Sequence, residues 1–262
     1  MGKITGVVTN NITLYFRELL YFAAFVKVTI IELFLIGHRK QVVIMVLLRQ
    51  ILFTGYEALK LIAMVGLAIG AAIIIQGMAL LDTFGQSGLV YKILIVVITK
   101  ELGPLLTAFI IIARSGTAIS TELGNMVVSN EIEALVSFGI NPISYLVVPR
   151  VLGMVLSFFA LSIYFNIAGL LGGHVVSAAF YPIPFTEFFS NLLSRMTIKD
   201  IIFAQVKAVV FGMVIAIISC YHGLQVQFAS TEVPRRTIQA VVASLSWIII
   251  FNILLTVLSY SF

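Results

Sequence analysis

The chain has 262 residues, 61% of them hydrophobic and 10% charged, with a net charge of +5. A soluble domain carries about 25% charged residues, so this composition excludes a domain that faces water all round. The basic residues are not gathered on a polar domain and no aromatic-basic stacking platform is present, which argues against a nucleic-acid partner.

Residues 1–60 contain short apolar runs at 21–26, 29–37 and 42–48, interrupted by Arg17, Lys27, Arg39, Lys40 and Arg49. This region reads as one or two amphipathic helices in the membrane interface, with the basic groups towards headgroups. A sixth, irregular span is the rival reading. Residues 61–262 read as one transmembrane domain. A spanning helix needs about 20 mostly apolar residues, and such stretches fall at 61–81, 93–121, 151–180, 201–221 and 238–260. The expected fold is therefore all-α and membrane-integral: an interfacial amphipathic region followed by about five transmembrane helices.

Lys and Arg set the orientation. Ten lie on the N-terminal side (Lys3, Arg17, Lys27, Arg39, Lys40, Arg49, Lys60, Arg150, Arg235, Arg236) and four on the other (Lys92, Lys100, Arg195, Lys199). The N-terminus is expected in the cytoplasm and the C-terminus outside. The single cysteine, Cys220, sits in an apolar run, so no disulfide framework is expected.

At the outer end of the first span, Ile73, Gly77, Leu80, Leu81 and Phe84 fall on one helical face. That face lines an apolar pocket or packs against lipid and bundle; the spacing does not choose. The second span, KELGPLLTAFIIIARSGTAISTELG at 100–124, is the polar one. Residues seven apart share a helix face, so Lys100, Thr107, Arg114 and Thr121 form one stripe and Glu101, Ala108, Ser115 and Glu122 its neighbour. Charges at membrane depth face a protein interior or a cavity and mark functional positions by default. Glu101 is the foremost candidate, because nearby Pro104 frees a backbone carbonyl and can kink the helix. Arg114 and Glu122 suit either function or bracing of the bundle. Lys207 in the fourth span and Asn166 in the third are buried polar groups able to pair with the second-span carboxylates. Glycines at 66, 70, 169 and 173 have the small-xxx-small spacing that lets membrane helices approach closely.

After the second span, Asn130 followed by Glu133 resembles a capping box, and Gly139 with Pro142 supplies a stop. Between them a short helix over 131–138 places Ile132, Leu135 and Val136 on an apolar side, with Glu131 and Glu133 at its rim. It suits a docking element for a cytoplasmic partner, with an ordinary interfacial turn as the alternative. No GxxxxGK[ST] loop is present, so the chain is not itself a P-loop ATPase.

KELGP at 100–104, ARSGTAISTELG at 113–124, the acidic segment 130–142, PR at 149–150, IQG at 75–77 and VKAVVFG at 206–212 together resemble the MlaE/YrbE-type permease. That is the membrane subunit of MCE-linked ABC lipid transporters. The resemblance implies a homodimer in the bacterial inner membrane, a pair of cytoplasmic ABC ATPases, and a ring of MCE proteins in the periplasm. It implies phospholipid or a related membrane lipid as substrate, in a pocket opening outward at the dimer interface. ATP and Mg²⁺ would act on the separate ATPase, and this chain would bind no cofactor, hold no metal and perform no catalysis. Helix 131–138 would be the coupling helix. Ile73, Leu80, Leu81, Phe84, Glu101 and Leu102 would line the pocket, with Lys100 beside them. Family members often carry arginine at the first KELGP position; Lys100 keeps the charge without the bidentate fork. An ion-coupled secondary transporter using Glu101, Arg114 and Glu122, and a structural anchor of an envelope bridge, are the alternatives; the acidic inner loop favours the ABC reading.

Overall fold

The structure, a computed structural model, describes residues 2–35, 40–84, 92–93, 95–180, 184–227 and 229–261, with backbone alone at 2–16, 40–43, 78–84 and 260–261. In hydrocarbon a backbone must satisfy its own N–H and C=O groups, and a helix does so within one segment. Accordingly, every regular element among the described residues is helical. Helix α1 is Gly2–Leu35 and α2 is Lys40–Thr54, which passes through a tight turn at Tyr56–Ala58 into α3, Leu59–Phe84. A wide π-helical stretch, Ile95–Leu102, leads into α4, Gly103–Ile111. A second one, Ile112–Gly116, leads into α5, Thr117–Val128. The short α6, Glu131–Ser137, precedes a third π-helical stretch, Ile143–Val147, and α7, Val148–Phe180. Then come α8, Phe185–Leu193, α9, Ile198–Leu224, and α10, Glu232–Ser261.

Five segments are long and apolar enough to cross a membrane: Ile44–Gly77, Ile95–Val128, Ile143–Phe180, Ile198–Leu224 and Glu232–Ser259. The chain is an all-α, multi-pass membrane protein. The first segment begins well before residue 61, where the sequence places it. Arg49, Glu57 and Lys60 interrupt the apolar run, yet the helix continues. Gly55 N–H donates to the Ile51 carbonyl at 2.7 Å and Ala58 N–H to the Gly55 carbonyl at 3.3 Å, so the bend keeps its backbone paired. Gln50 donates to Thr54 at 2.7 Å, which satisfies two buried polar side chains one turn apart. Likewise, α1 is one continuous helix through the runs that look interrupted in sequence. Its Phe22 and Phe25 pack on Tyr221 of α9, with ring centroids 5.0 and 5.5 Å apart. Helix α8 lies between the third and fourth spans.

The core centres on α7, whose apolar window is 67% buried, against 11% for α10 at the periphery. Helix α7 packs along α3, α9 and α2, while α10 packs on α9 and α5. The α3–α7 crossing is the tightest. A Cβ on Gly70 would run into the carbonyl of Gly169, and a Cβ on Gly172 into the backbone of Leu67. The close-packing glycine one turn after Gly169 on α7 is thus Gly172, beside the Gly173 that the spacing suggests.

Candidate functional site: a buried ion-pair cluster joined to an exposed helix

The site starts from a proline. Pro104 has no N–H, so the Lys100 carbonyl, its i−4 acceptor in an α-helix, receives no donor from that position. The π-helical stretch ends here, with Pro104 in the first turn of α4. Lys207 Nζ, on α9, donates to the Lys100 carbonyl at 3.1 Å. The same ammonium lies 2.9 Å from each carboxylate oxygen of Glu101 and 2.8 Å from Thr256 Oγ1 of α10. Thr256 also donates to Glu101 at 3.2 Å, and Asn252 Nδ2 approaches the same carboxylate at 3.4 Å. Three spans therefore converge on one carboxylate. The Lys207 side chain is 2% exposed, whereas Glu101 is 30% exposed. A buried ammonium persists in an apolar bundle only when paired and hydrogen-bonded. Lys207 has four oxygen contacts for three protons, and Glu101 presents an open side.

At the adjacent position on the same π-helical stretch, Lys100 Nζ pairs with Asp200 Oδ1 at 2.9 Å. Asp200 Oδ2 accepts the Thr197 N–H at 3.2 Å, so one carboxylate both caps α9 and holds the second span. Lys100 and Glu101 thus face two different partners on α9. Leu102 is half-buried beside them, and Ile73 is half-buried against the core. Leu80, Leu81 and Phe84 have side chains outside the described residues.

The other second-span charges also find partners. Arg114 pairs with Glu57 from the turn between α2 and α3, and its guanidinium lies 5.2 Å from the centroid of the Phe53 ring. Glu122 pairs with Arg150 of α7 at 3.0 Å, and Arg150 also donates to the Leu146 carbonyl at 2.9 Å. Arg114 and Glu122 are not brought to Glu101; they tie the second span to the first and third. Asn166 lies against Gly103 and is not on the carboxylate.

Helix α6 stands out from the bundle. Asn130 has φ +58° and makes no side-chain cap, so the expected capping box is absent there. Its left-handed backbone ends α5, and Asn130 N–H returns to the Val127 carbonyl at 3.1 Å. At the other end Gly139, φ +71°, donates to the Val136 carbonyl at 2.9 Å while Ile140 donates to Leu135 at 2.9 Å. This is the six-to-one and five-to-two pairing of a glycine-terminated helix. Ile132 and Leu135 turn inward onto the core, Glu131 and Glu133 are exposed, and Val136 and Phe138 project outward at 58% and 80% exposure. Phe138 extends the outward apolar surface beyond Val136 and was not among the expected contacts.

Ion pairs held inside a five-span bundle, together with a short exposed helix at one end, belong to a multi-pass membrane protein. The profile of the family described as Permease MlaE matches residues 47–258. The chain is 32% identical over 214 residues to a probable ABC transporter permease protein of Rickettsia typhi, covering 82% of this chain and 83% of that one. It is 30% identical over 209 residues to the chloroplastic protein TRIGALACTOSYLDIACYLGLYCEROL 1 of Arabidopsis thaliana, covering 80% of this chain and 60% of that one. It is 26% identical over 215 residues to the intermembrane phospholipid transport system permease protein MlaE of Haemophilus influenzae, covering 82% of each. The chain belongs to the MlaE permease family.

Proposed function

We propose that this chain is the membrane subunit of an ATP-driven transporter that moves lipid, foremost phospholipid, between the inner membrane and the outer envelope. The observation that carries the reading is the Glu101–Lys207 cluster: a half-open carboxylate over a buried ammonium, where α4, α9 and α10 meet. An amphiphile needs an apolar wall for its tails and a few polar groups for its head. Lys100 and Glu101 supply the polar groups, and Ile73, Leu102 and the Leu80, Leu81 and Phe84 positions supply the wall. The pocket opens outward where two copies of the chain meet. The names of the relatives, ABC permease and phospholipid transport permease, support the substrate class.

Helix α6 is the coupling helix in this reading. The second span runs from Glu101 to Val128 without a break in helix, and α6 follows within three residues. A push on α6 by a closing ATPase pair reaches Glu101 along one stiff element. ATP and Mg²⁺ act on that ATPase, and MCE proteins receive or deliver lipid on the far side. The N-terminus lies in the cytoplasm and the C-terminus in the periplasm, following the Lys and Arg asymmetry.

Gentle detergent purification of the tagged chain, with mass spectrometry of co-purifying proteins and lipids, tests the reading. It predicts an ABC ATPase, an MCE protein and stoichiometric phospholipid. A chain recovered without an ATPase, from membranes that express one, would overturn it.

A further inference from the structure

We infer a second lipid site, separate from the Glu101 cluster: a groove between α1 and α10 that binds the acyl chain of an anionic phospholipid, with Lys27 on its phosphate. The groove has a volume of about 630 Å³ and is walled by Leu19, Phe22, Val26, Lys27 and Ile31 of α1 and by Trp247 of α10. That volume falls within the ~300–1,000 Å³ of ligand clefts. The α1 residues recur at three- and four-residue spacing, so they form one stripe of the helix. Lys27 is the stripe's charged member among the groove residues.

Three observations select the occupant. The lining is apolar apart from Lys27, which matches a hydrocarbon chain and not a polar peptide. Lys27 is exposed, and none of the ion pairs among the described residues includes it. A cation at an apolar wall calls for an anion carrying an apolar tail, and a lysine stem can lie along the tail while its ammonium reaches the headgroup. Finally, α1 is anchored at the end of the bundle that carries α6. Tyr221 donates to the Glu18 carbonyl at 3.4 Å, and Asn141, in the loop after α6, donates to Glu32 at 3.2 Å. The groove therefore opens to the leaflet on the α6 side, where headgroups lie beside α1. A second copy of the chain would have to bury Lys27 against another apolar helix, at the cost of an unpaired charge.

The test places the full-length chain, with its co-purifying partners, in nanodiscs containing phosphatidylglycerol or phosphatidylcholine with a photoactivatable acyl chain. Cross-linked peptides are mapped by mass spectrometry. Labelling of the α1 and Trp247 peptides is expected to be about fivefold stronger with phosphatidylglycerol, the effect of one lysine near an anionic lipid surface. Lys27→Gln should reduce it to the phosphatidylcholine level and Lys27→Arg should keep it. Ala23→Trp, which fills the groove, should abolish labelling by both lipids. Equal labelling by the two lipids, or labelling indifferent to Lys27→Gln, would overturn the proposal by showing unselective surrounding lipid. Protection of the groove by an Ile30→Cys cross-link between two copies would overturn it in favour of a subunit interface.

Discussion

Pro104 on the second span and Lys207 on the fourth are joined through a backbone oxygen. Pro104 leaves the Lys100 carbonyl without its usual donor, and the Lys207 ammonium donates to it at 3.1 Å while also holding Glu101 at 2.9 Å. A helix irregularity and a buried charge, each unfavourable alone, thereby satisfy one another. The arrangement holds the Glu101 carboxyl group where three helices meet and leaves it 30% exposed.

Removal of the ammonium should therefore be worse than removal of the pair. Lys207→Met leaves Glu101 without its counter-charge and is expected to cost about 2–3 kcal/mol. This is less than the ~3–5 kcal/mol of a fully enclosed pair, because Glu101 keeps some solvent access. Glu101→Gln combined with Lys207→Met should recover part of that loss. Thermal unfolding of the four proteins of this double-mutant cycle in detergent measures the coupling, and additive losses would show that the two residues do not act together.

The pair between Glu122 and Arg150 is lopsided, and its mutants should be too. Arg150 is 5% exposed and Glu122 is 56% exposed. Glu122→Gln leaves Arg150 with the Leu146 carbonyl and is expected to cost about 0–1 kcal/mol, like an exposed ion pair. Arg150→Ala removes a buried guanidinium and its packing, and should cost about 2–3 kcal/mol. Melting temperatures of the two variants, measured side by side, test the order.

Helix packing makes a sharper prediction. Gly70→Ala places a methyl group in the Gly169 carbonyl, where backbone must give way, whereas a Cβ on Gly66 meets its nearest atoms at 3.1 Å. Gly70→Ala should cost about 1–3 kcal/mol or prevent accumulation of folded protein, and Gly66→Ala should be milder. Size-exclusion profiles and yields of detergent-extracted protein report both.

On α6, inward and outward residues should separate folding from partner binding. Phe138→Ala and Val136→Ala alter exposed side chains and are expected to leave stability within about 0.5 kcal/mol. They should still lose the co-purifying ATPase. Ile132→Ala and Leu135→Ala remove packing against the core and should lower the melting temperature first. Pull-down of the ATPase alongside thermal unfolding distinguishes the two pairs.

Much of this arrangement was legible in sequence because it is local. The second span displays its charges at helical spacing, Pro104 lies three residues from Glu101, and Lys207 stands alone in an apolar run that requires a partner. The stop at Gly139 is likewise a local signal and is present as expected. Other features depend on distant pairing. Thr256 and Asn252 are ordinary small polar residues in a fifth apolar run; only the packing of α10 on α9 and α5 brings them to Glu101. Asp200 caps its own helix, and its bond to Lys100 spans two helices. Glu57 makes residues 49–60 look too polar for a span. Arg114, 57 positions away, neutralises it, and the first membrane-crossing segment, Ile44–Gly77, includes these residues. At Asn130 the local pattern misled, because the residue was needed to end α5 with a left-handed turn and could not also cap α6.

The most direct test of the account is ATP-driven movement of fluorescent phospholipid out of proteoliposomes that contain the chain with its co-purified partners. The account predicts transfer that requires ATP, persists in Glu122→Gln, and is lost in Lys207→Met while the ATPase remains bound. Full transfer by Lys207→Met, or transfer that follows an ion gradient without ATP, would contradict it.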